Sequence, residues 1–228
     1  MNRFQRNEML FTPEGVRKLK DKKVTVFGVG GVGGYVCEML GRSGIGHFVL
    51  VDKDQVDVTN INRQIIALSS TVGKDKVEVM KERLIEINPE CEVTSVKAFL
   101  LPENKGDFDF EHNDFVVDAI DTVSAKIVIA EECTRLGVPL ISSMGTGNKL
   151  HPEMLKITDK FPSELSCAEA AQADPQSIVA NVTAATAVLT MVYNILTHGE
   201  NIALQTDFST RTIRMQTVLE KQPRRKAA

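Results

Sequence analysis

Apolar residues in this chain recur with two different periods, and the way those periods alternate predicts the fold class. The β-branched run Val24 to Phe27 and the apolar run Phe48 to Val51 have the continuity of strands buried on both faces. Between them, Val32 to Arg42 carries apolar residues at helical spacing. Strand, helix and strand in this order form a βαβ unit. The alternation then continues. After an irregular polar segment over 52–70, Val72 to Ile87 has helical spacing, Glu92 to Phe99 alternates as a strand, and Phe115 to Val117 is a further buried strand. Ser124 to Leu136 reads as a helix and Pro139 to Ser142 as a last short strand. Such a pattern predicts an α/β fold with a Rossmann-like, mostly parallel sheet flanked by helices, and ligands at the carboxyl ends of its strands.

The flanks add to this core. Thr12, Pro13 and Glu14 read as a cap, a first helical residue and a first-turn acid, predicting a short helix over 13–20. From Met144 to Gln176 the periodicity fades among Gly145, Gly147, Pro152, Pro162 and Pro175, and a long crossing loop is expected. Asp174-Pro175 marks the start of a last helix over 176–197, and Ala203 to Val218 reads as an antiparallel hairpin turning near Ser209. The organisation expected is one domain: an N-terminal arm and helix (1–22), a core (23–143), a crossing loop (144–176) and a last helix with the C-terminal hairpin (177–220).

Composition narrows the partners. With 228 residues and 43% apolar content the chain can bury one sizeable core. A net charge of -3 and a pI near 5.9 deny it the general basic field of a dedicated nucleic-acid binder, although a local basic groove is compatible with both. The polar start, Met1 to Glu8, has no apolar signal region, so a cytoplasmic location is expected. The uncharged stretch Ile178 to Leu196 approaches the length of a membrane span, but Asn181, Thr183, Thr186, Thr190 and Asn194 lie on several of its faces. A helix buried in the protein or facing a second subunit is expected there, and no membrane contact. Cys37, Cys91, Cys133 and Cys167 include no CxxC pair, so free thiols are expected and zinc is not.

Candidate chemistry begins at Gly28-Val29-Gly30-Gly31-Val32-Gly33-Gly34, which leaves a strand and opens a helix. Backbone amides there can approach a phosphate without Cβ obstruction, at the positive end of a helix. Asp52 ends the next strand about 20 residues on, where a carboxylate accepts ribose hydroxyl protons. Both features suit NAD as well as ATP. ATP carries the larger phosphate charge, so a site for it calls for extra cations and usually a metal. Arg63 in Asn60-Ile61-Asn62-Arg63-Gln64 and Lys76 in Gly73-Lys74-Asp75-Lys76-Val77 are candidate cations, and Asp118 and Asp121 could hold magnesium. Each cation alone reads more readily as a solvated surface charge; their joint placement argues against that.

In this order and spacing, Arg3-Phe4-Gln5-Arg6, the glycine turn, Asp52, Asn60 to Gln64, Lys76 and Asp118 to Asp121 resemble the ThiF/MoeB/HesA family of ubiquitin-activating-like enzymes, which couple a carboxylate to AMP. Over residues 1–150 the likeness is greatest to the tRNA threonylcarbamoyladenosine dehydratase subgroup, carried by Thr59 to Gln64, Ser70 to Lys74, Met80 to Arg83 and Ile141 to Leu150. That subgroup activates a threonylcarbamoyl carboxylate on tRNA with ATP and closes it into a ring. It then continues into a Cys-Pro-Leu segment and a longer basic region. Here Ser166-Cys167-Ala168-Glu169 is followed by Asp174-Pro175 instead, an ending more similar to compact relatives that activate the C-terminal glycine of a small ubiquitin-like or sulfur-carrier protein.

The resemblance implies in-line attack of a substrate carboxylate on the α-phosphate of ATP, giving an acyl-adenylate and pyrophosphate. In that scheme Gly28, Gly30, Gly31 and Gly33 cradle phosphate and Asp52 holds the ribose. Asn60 and Arg63 bind the phosphates, Gln64 orients them, Lys76 neutralises charge at the α-phosphate and Asp121 holds Mg2+. Arg6 would reach the partner subunit's nucleotide, which implies a homodimer with sites completed in trans. Some branches place a reactive thiol where Cys167 stands, yet no histidine or helix start there lowers its pKa, so an incidental cysteine is expected. An NAD-dependent oxidoreductase would explain the glycine turn and Asp52 but not Arg63, Lys76 or Asp121. A non-catalytic nucleotide-binding scaffold would not need the full charged set.

Overall fold

The computed structural model describes residues 2–145 and, farther along, Val182, Ala184, Ala185, Thr186, Val188, Leu189, Val192 and Leu196, all helical. Five strands form one sheet: β1 (Lys23–Phe27), β2 (His47–Val51), β3 (Glu92–Val96), β4 (Phe115–Asp118) and β5 (Leu140–Ser142). Their order is β3-β2-β1-β4-β5, and every pairing is parallel. The helices are α1 (Gln5–Lys20), α2 (Gly33–Ser43), α3 (Lys76–Ile87) and α4 (Val123–Leu136). α2 and α4 each stop at a glycine in the left-handed conformation, Gly44 and Gly137.

Strand alternation divides the apolar residues between two cores. Val24, Val26, Phe48, Leu50, Phe115 and Val117 point to one face, where Val36, Leu40, Met80 and Leu84 of α2 and α3 cover them. Phe27, Val51 and Val116 point to the other, under Ala125, Val128 and Ile129 of α4. Each fully buried aliphatic or aromatic side chain contributes about 1.5–3 kcal/mol, so both faces hold the sheet firmly. Ala184, Ala185, Val188 and Val192 join the first core, as expected for a buried helix in the Ile178 to Leu196 stretch. Among the described residues no helix is long and apolar enough to cross a membrane.

The chain runs from β1 outward through β2 to β3, then returns past β1 to β4 and β5. The strand order therefore reverses between β1 and β4, and the crevice at their carboxyl ends is where such sheets take ligands.

Four expectations need correction. α1 starts at Gln5, not at 13; its axis breaks at Thr12 (φ 66°), whose hydroxyl accepts from Gly15 N at 3.2 Å, so the expected helix over 13–20 forms its second part. The first part docks because Asn7 donates to Arg42 O at 2.9 Å, a tertiary contact with no local signature. α3 starts at Lys76, not Val72, because Gly73 (φ 85°) donates to Val56 O and Lys74 O accepts from Val56 N, pulling that stretch into a turn. β3 ends at Val96, where Ala98 N donates back to Val96 O and closes a tight turn. The segment 52–70, read as irregular, contains a 3-10 turn at Val58–Asn60. The crossing loop and C-terminal hairpin lie outside the described residues.

Candidate functional site

The glycine turn is bonded to both neighbouring strands. Gly28 N donates to Val51 O, and Ala119 N donates to Phe27 O, each at 2.8 Å. Gly28 adopts φ 88°, and a Cβ on it would lie 2.7 Å from Ala119 O; a Cβ on Gly33 would lie 1.8 Å from Gly28 O. These two glycines are therefore required by close approach of backbone to backbone. At Gly30 a Cβ would meet only Gln64 Nε2, at 3.7 Å, and Gly30 and Gly31 are half-buried at the mouth of the turn. No side chain caps the start of α2; Gly34 N donates to Gly30 O at 3.0 Å, and the positive end of the helix dipole lies at this turn.

Around this turn stand residues from the segment that joins β2 to α3. Asp52, at the end of β2, accepts from Val29 N at 2.7 Å through Oδ2 and from Asp54 N at 2.9 Å through Oδ1, which leaves lone pairs on both oxygens. Gln64 is buried with its Nε2 end towards Gly30, and its Oε1 has no hydrogen-bond partner. Lys76 is buried too, its Nζ 3.2 Å from Asp54 Oδ2. Arg63 is half-buried, with Nη1 donating to Thr59 O at 3.0 Å and to Asn62 Oδ1 at 3.1 Å. Lys53 lies over the Phe99 ring, 4.0 Å from its centroid.

Asn60 has a structural role through its oxygen, which leaves its Nδ2 as the donor for the expected contact to phosphate. Its Oδ1 accepts from Asp57 N at 3.1 Å while Asp57 accepts from Thr59 N, a reciprocal cap on the 3-10 turn. The backbone carbonyl of Asn60 receives the amides of Arg63 and Gln64 at 3.1 and 2.9 Å. Asn60 thus shapes the turn that presents Arg63 and Gln64.

The two aspartates after β4 differ sharply in environment. Asp118 is wholly buried, with Lys126 Nζ at 3.1 and 3.0 Å from its two oxygens, the Ser142 hydroxyl donating to Oδ2 and Ile120 N donating to Oδ1. Burial raises its carboxyl pKa, against the pull of the Lys126 ammonium and the Ser142 hydroxyl. Its acceptor capacity is spent inside the protein, which corrects the reading of Asp118 as a metal holder. Asp121 is exposed at the end of the same turn, with Thr122 Oγ1 3.5 Å away. Among the described residues no group of three His, Cys, Asp or Glu side chains could cage a metal. One open carboxylate in the turn after β4 nevertheless fits magnesium, which takes one or two carboxylates, water and substrate phosphates.

Contacts thus bring Asp52 and Gln64 to the glycine turn; Lys76 stands behind Asp54, and Asp121 follows Ala119, whose carbonyl abuts Gly28. Arg6 is not among them. It is exposed on α1, which is tied to the far ends of α2 and α3 through Asn7 to Arg42 O and Arg3 to Ile87 O. Cys37, Cys91 and Cys133 are buried free thiols, and burial pushes Cys133 up to about 12, so none is a ready nucleophile. Cys167 lies outside the described residues. Asp54 and Lys126 were not foreseen. The available signal for Lys126 was a lysine set in the apolar stripe of α4, between Ala125 and Val128.

Known proteins match this arrangement. The model of the ThiF family matches residues 4–219. A tRNA threonylcarbamoyladenosine dehydratase of Bacillus subtilis is 49% identical over 160 residues, which make up 70% of this chain and 63% of the relative. The protein of that name in Escherichia coli K12 is 41% identical over 157 residues, or 69% of this chain and 59% of the relative. The chain thus spans about three fifths of the length of these curated relatives. Among solved structures, the E. coli tRNA N6-threonylcarbamoyladenosine dehydratase TcdA in complex with ATP is similar with a TM-score of 0.78 and 30% identity, over 85% of this chain and 93% of that one.

Proposed function

The chain belongs to the ThiF family, and we propose that it is an enzyme that uses ATP to adenylate a carboxylate, the threonylcarbamoyl group of a modified adenosine in tRNA, which then closes into a ring. The observation that carries the reading is Gln64. Its side-chain amide is buried, its Nε2 end faces the glycine turn, and its Oε1 has no partner. A buried acceptor left unpaired costs about 1–3 kcal/mol, a cost removed by a ligand that carries a donor, such as the ribose hydroxyls of a nucleotide, beside the phosphate acceptors that Nε2 can serve.

In this scheme the β- and γ-phosphates lie against the amides of Gly30 and Gly31 and the start of α2, and the ribose hydroxyls donate to Asp52. Gln64 Nε2 donates to a phosphate oxygen. Lys76 leaves Asp54 partly for the α-phosphate, where charge develops as the substrate carboxylate attacks, and Arg63 supplies a second cation. Asp121 would hold magnesium, which when bound neutralises the departing pyrophosphate. Arg6, remote from its own crevice, completes the site of a second copy in a homodimer. The relatives' names and the TcdA complex with ATP support the substrate and the nucleotide. A cytoplasmic location suits such a substrate.

Two measurements test the reading. Calorimetric titration should give tighter binding of ATP with magnesium than of NAD; the reverse order would overturn adenylation. Incubation with ATP and tRNA carrying threonylcarbamoyladenosine, followed by digestion and mass analysis, should convert the nucleoside to a product lighter by one water. Pyrophosphate exchange stimulated by a carrier protein ending in Gly-Gly, with the tRNA nucleoside unchanged, would replace tRNA by a protein substrate.

A further inference from the structure

Lys126 is a charged residue in the apolar stripe of α4, packed beside Ala125, Val128 and Ile129 and itself buried. Its Nζ lies 3.1 and 3.0 Å from the Asp118 oxygens and donates to Ser143 O at 2.8 Å, with Ser142 Oγ 3.5 Å away. Ser143 N in turn donates to Asp118 O at 2.8 Å. One ammonium therefore ties together the ends of β4 and β5 and the inner face of α4. From Asp118 the chain enters a short turn. Ile120 N donates to Asp118 Oδ1 at 3.2 Å, Ala119 O abuts Gly28, and Asp121 is the exposed end.

A buried ion pair gives little net stability, since desolvation offsets most of the attraction and an apolar pair of similar volume often packs as well. The side chain of Asp118 sets the backbone of the turn from inside, and Lys126 keeps that side chain in place. We propose that Lys126 is a positioning residue for adenylation: through Asp118 it holds the Ala119–Asp121 turn so that the Asp121 carboxylate faces the phosphate cradle. The inference rests on the adenylating reading above. Lys126 touches neither nucleotide nor carboxylate substrate and acts through Asp121.

The test compares wild type, Lys126→Met, Asp121→Ala and the double variant by substrate-dependent ATP-pyrophosphate exchange, ATP calorimetry and amide hydrogen exchange. A displaced catalytic group costs on the order of 100-fold in rate, so Lys126→Met should lose roughly that in kcat while ATP affinity stays within about threefold. The double variant should be no slower than Asp121→Ala alone, because both changes act through one carboxylate. Amides of 119–121 should exchange faster in Lys126→Met, and Lys126→Arg should recover part of the rate. If Lys126→Met does not fold, the neutral pair Asp118→Asn/Lys126→Met replaces it with the same expectations. Wild-type kcat in the lysine variant, unchanged amide exchange at 119–121, or a double variant whose loss is the product of the two single losses would each overturn the proposal. No exchange in the wild type with any carboxylate would overturn the adenylating reading itself, a distinct result.

Discussion

Adding one methyl group at Gly28 and at Gly30 should give opposite phenotypes, although both residues belong to one turn. At Gly28 an alanine must hold φ 88° and place its Cβ 2.7 Å from the Ala119 carbonyl oxygen, a backbone atom in the next turn. The left-handed conformation costs about 1–2 kcal/mol for a residue with a Cβ. Overpacking against backbone adds about 1–3 kcal/mol. The sum, about 2–5 kcal/mol, is a large part of the roughly 5–15 kcal/mol that keeps a domain folded. For a protein of this length each kcal/mol lowers Tm by about 2–4 °C, so Gly28→Ala should melt about 4–20 °C early. At Gly30, φ is not positive and the nearest atom, Gln64 Nε2, is 3.7 Å from the added carbon, an ordinary contact. Stability should change by about 0.5 kcal/mol or less. What the methyl does occupy is the approach to the amides at the mouth of the turn. Losing a hydrogen bond to a charged phosphate costs about 1.5–3 kcal/mol, or roughly 10- to 150-fold in ATP affinity. Thermal melts and ATP calorimetry on the two variants decide the matter. Equal melting losses in both, or wild-type ATP affinity in Gly30→Ala, would refute the division of the glycines into packing and binding positions.

Three further outcomes are expected. Asp121→Ala should lower the adenylation rate by two to four orders of magnitude, about 3–5 kcal/mol in the transition state, with a much smaller effect on ATP affinity; wild-type pyrophosphate exchange would remove Asp121 from the site. Arg6→Ala and Lys76→Ala proteins should each be nearly inactive, yet mixing and re-annealing them should restore up to about a quarter of the sites. Dimers confirmed by light scattering with no recovery would place Arg6 outside any shared site. Burial pushes the Glu38 pKa up, but hydrogen bonds and charge from Arg83 and Arg42 outweigh it and the net shift is downward. The stabilisation is therefore present above the unfolded value near 4.5 and fades as pH falls through the lower folded value. Glu38→Gln should cost about 1–2 kcal/mol at pH 7, discounted for the partly exposed arginines. A melting gap to wild type that is as large at the lowest pH where wild type stays folded would contradict the pairing.

What the sequence made legible follows from where physical signals are local. Val24 to Phe27 is a strand because a β-branched run buried on both faces has few other options, and the helical spacing of Val32 to Arg42 and of Ser124 to Leu136 runs out beside Gly44 and Gly137, which take the left-handed conformation cheaply. The start of α3 escaped because Val72 continues the helical period. The bonds that deny it a helix come from Val56, which is far away in the chain. Thr12 and Pro13 were read correctly as a helix start. The helical turns before them are docked by Asn7 reaching Arg42, and nothing local in the first eleven residues announces that. At the site the residue types were legible but not their partners. Asp121 reads as the metal holder and Asp118, at the end of a buried strand, as the inner residue, but the lysine of α4 that holds Asp118 inside is not announced by either aspartate. Likewise Asn60 in its motif does not disclose that its oxygen caps its own turn.

The two cores give this division a larger meaning. Gly30, Gly31, Asp52 and Gln64 belong to the turn after β1 or to the segment between β2 and α3, Lys76 is the first residue of α3, and the helices that flank these, α2 and α3, pack into the first core. Asp121 follows β4 and precedes α4, which packs into the second. At the carboxyl end of the pairing of β1 with β4, the two halves meet where Ala119 N bonds Phe27 O and where Gly28 leaves room for Ala119 O. In the proposed chemistry, groups that bind the nucleotide in the ground state thus stand on one packed unit, and the carboxylate needed as charge moves onto pyrophosphate stands on another. Interactions realised only in the transition state are the ones that raise kcat. A seam fixed by backbone contact holds that second unit in register without requiring any of its side chains to bind ATP first. The buried Lys126–Asp118 pair lies on that side of the seam, one residue from the contact, where a small displacement would reach Asp121 before it reached the amides of the glycine turn.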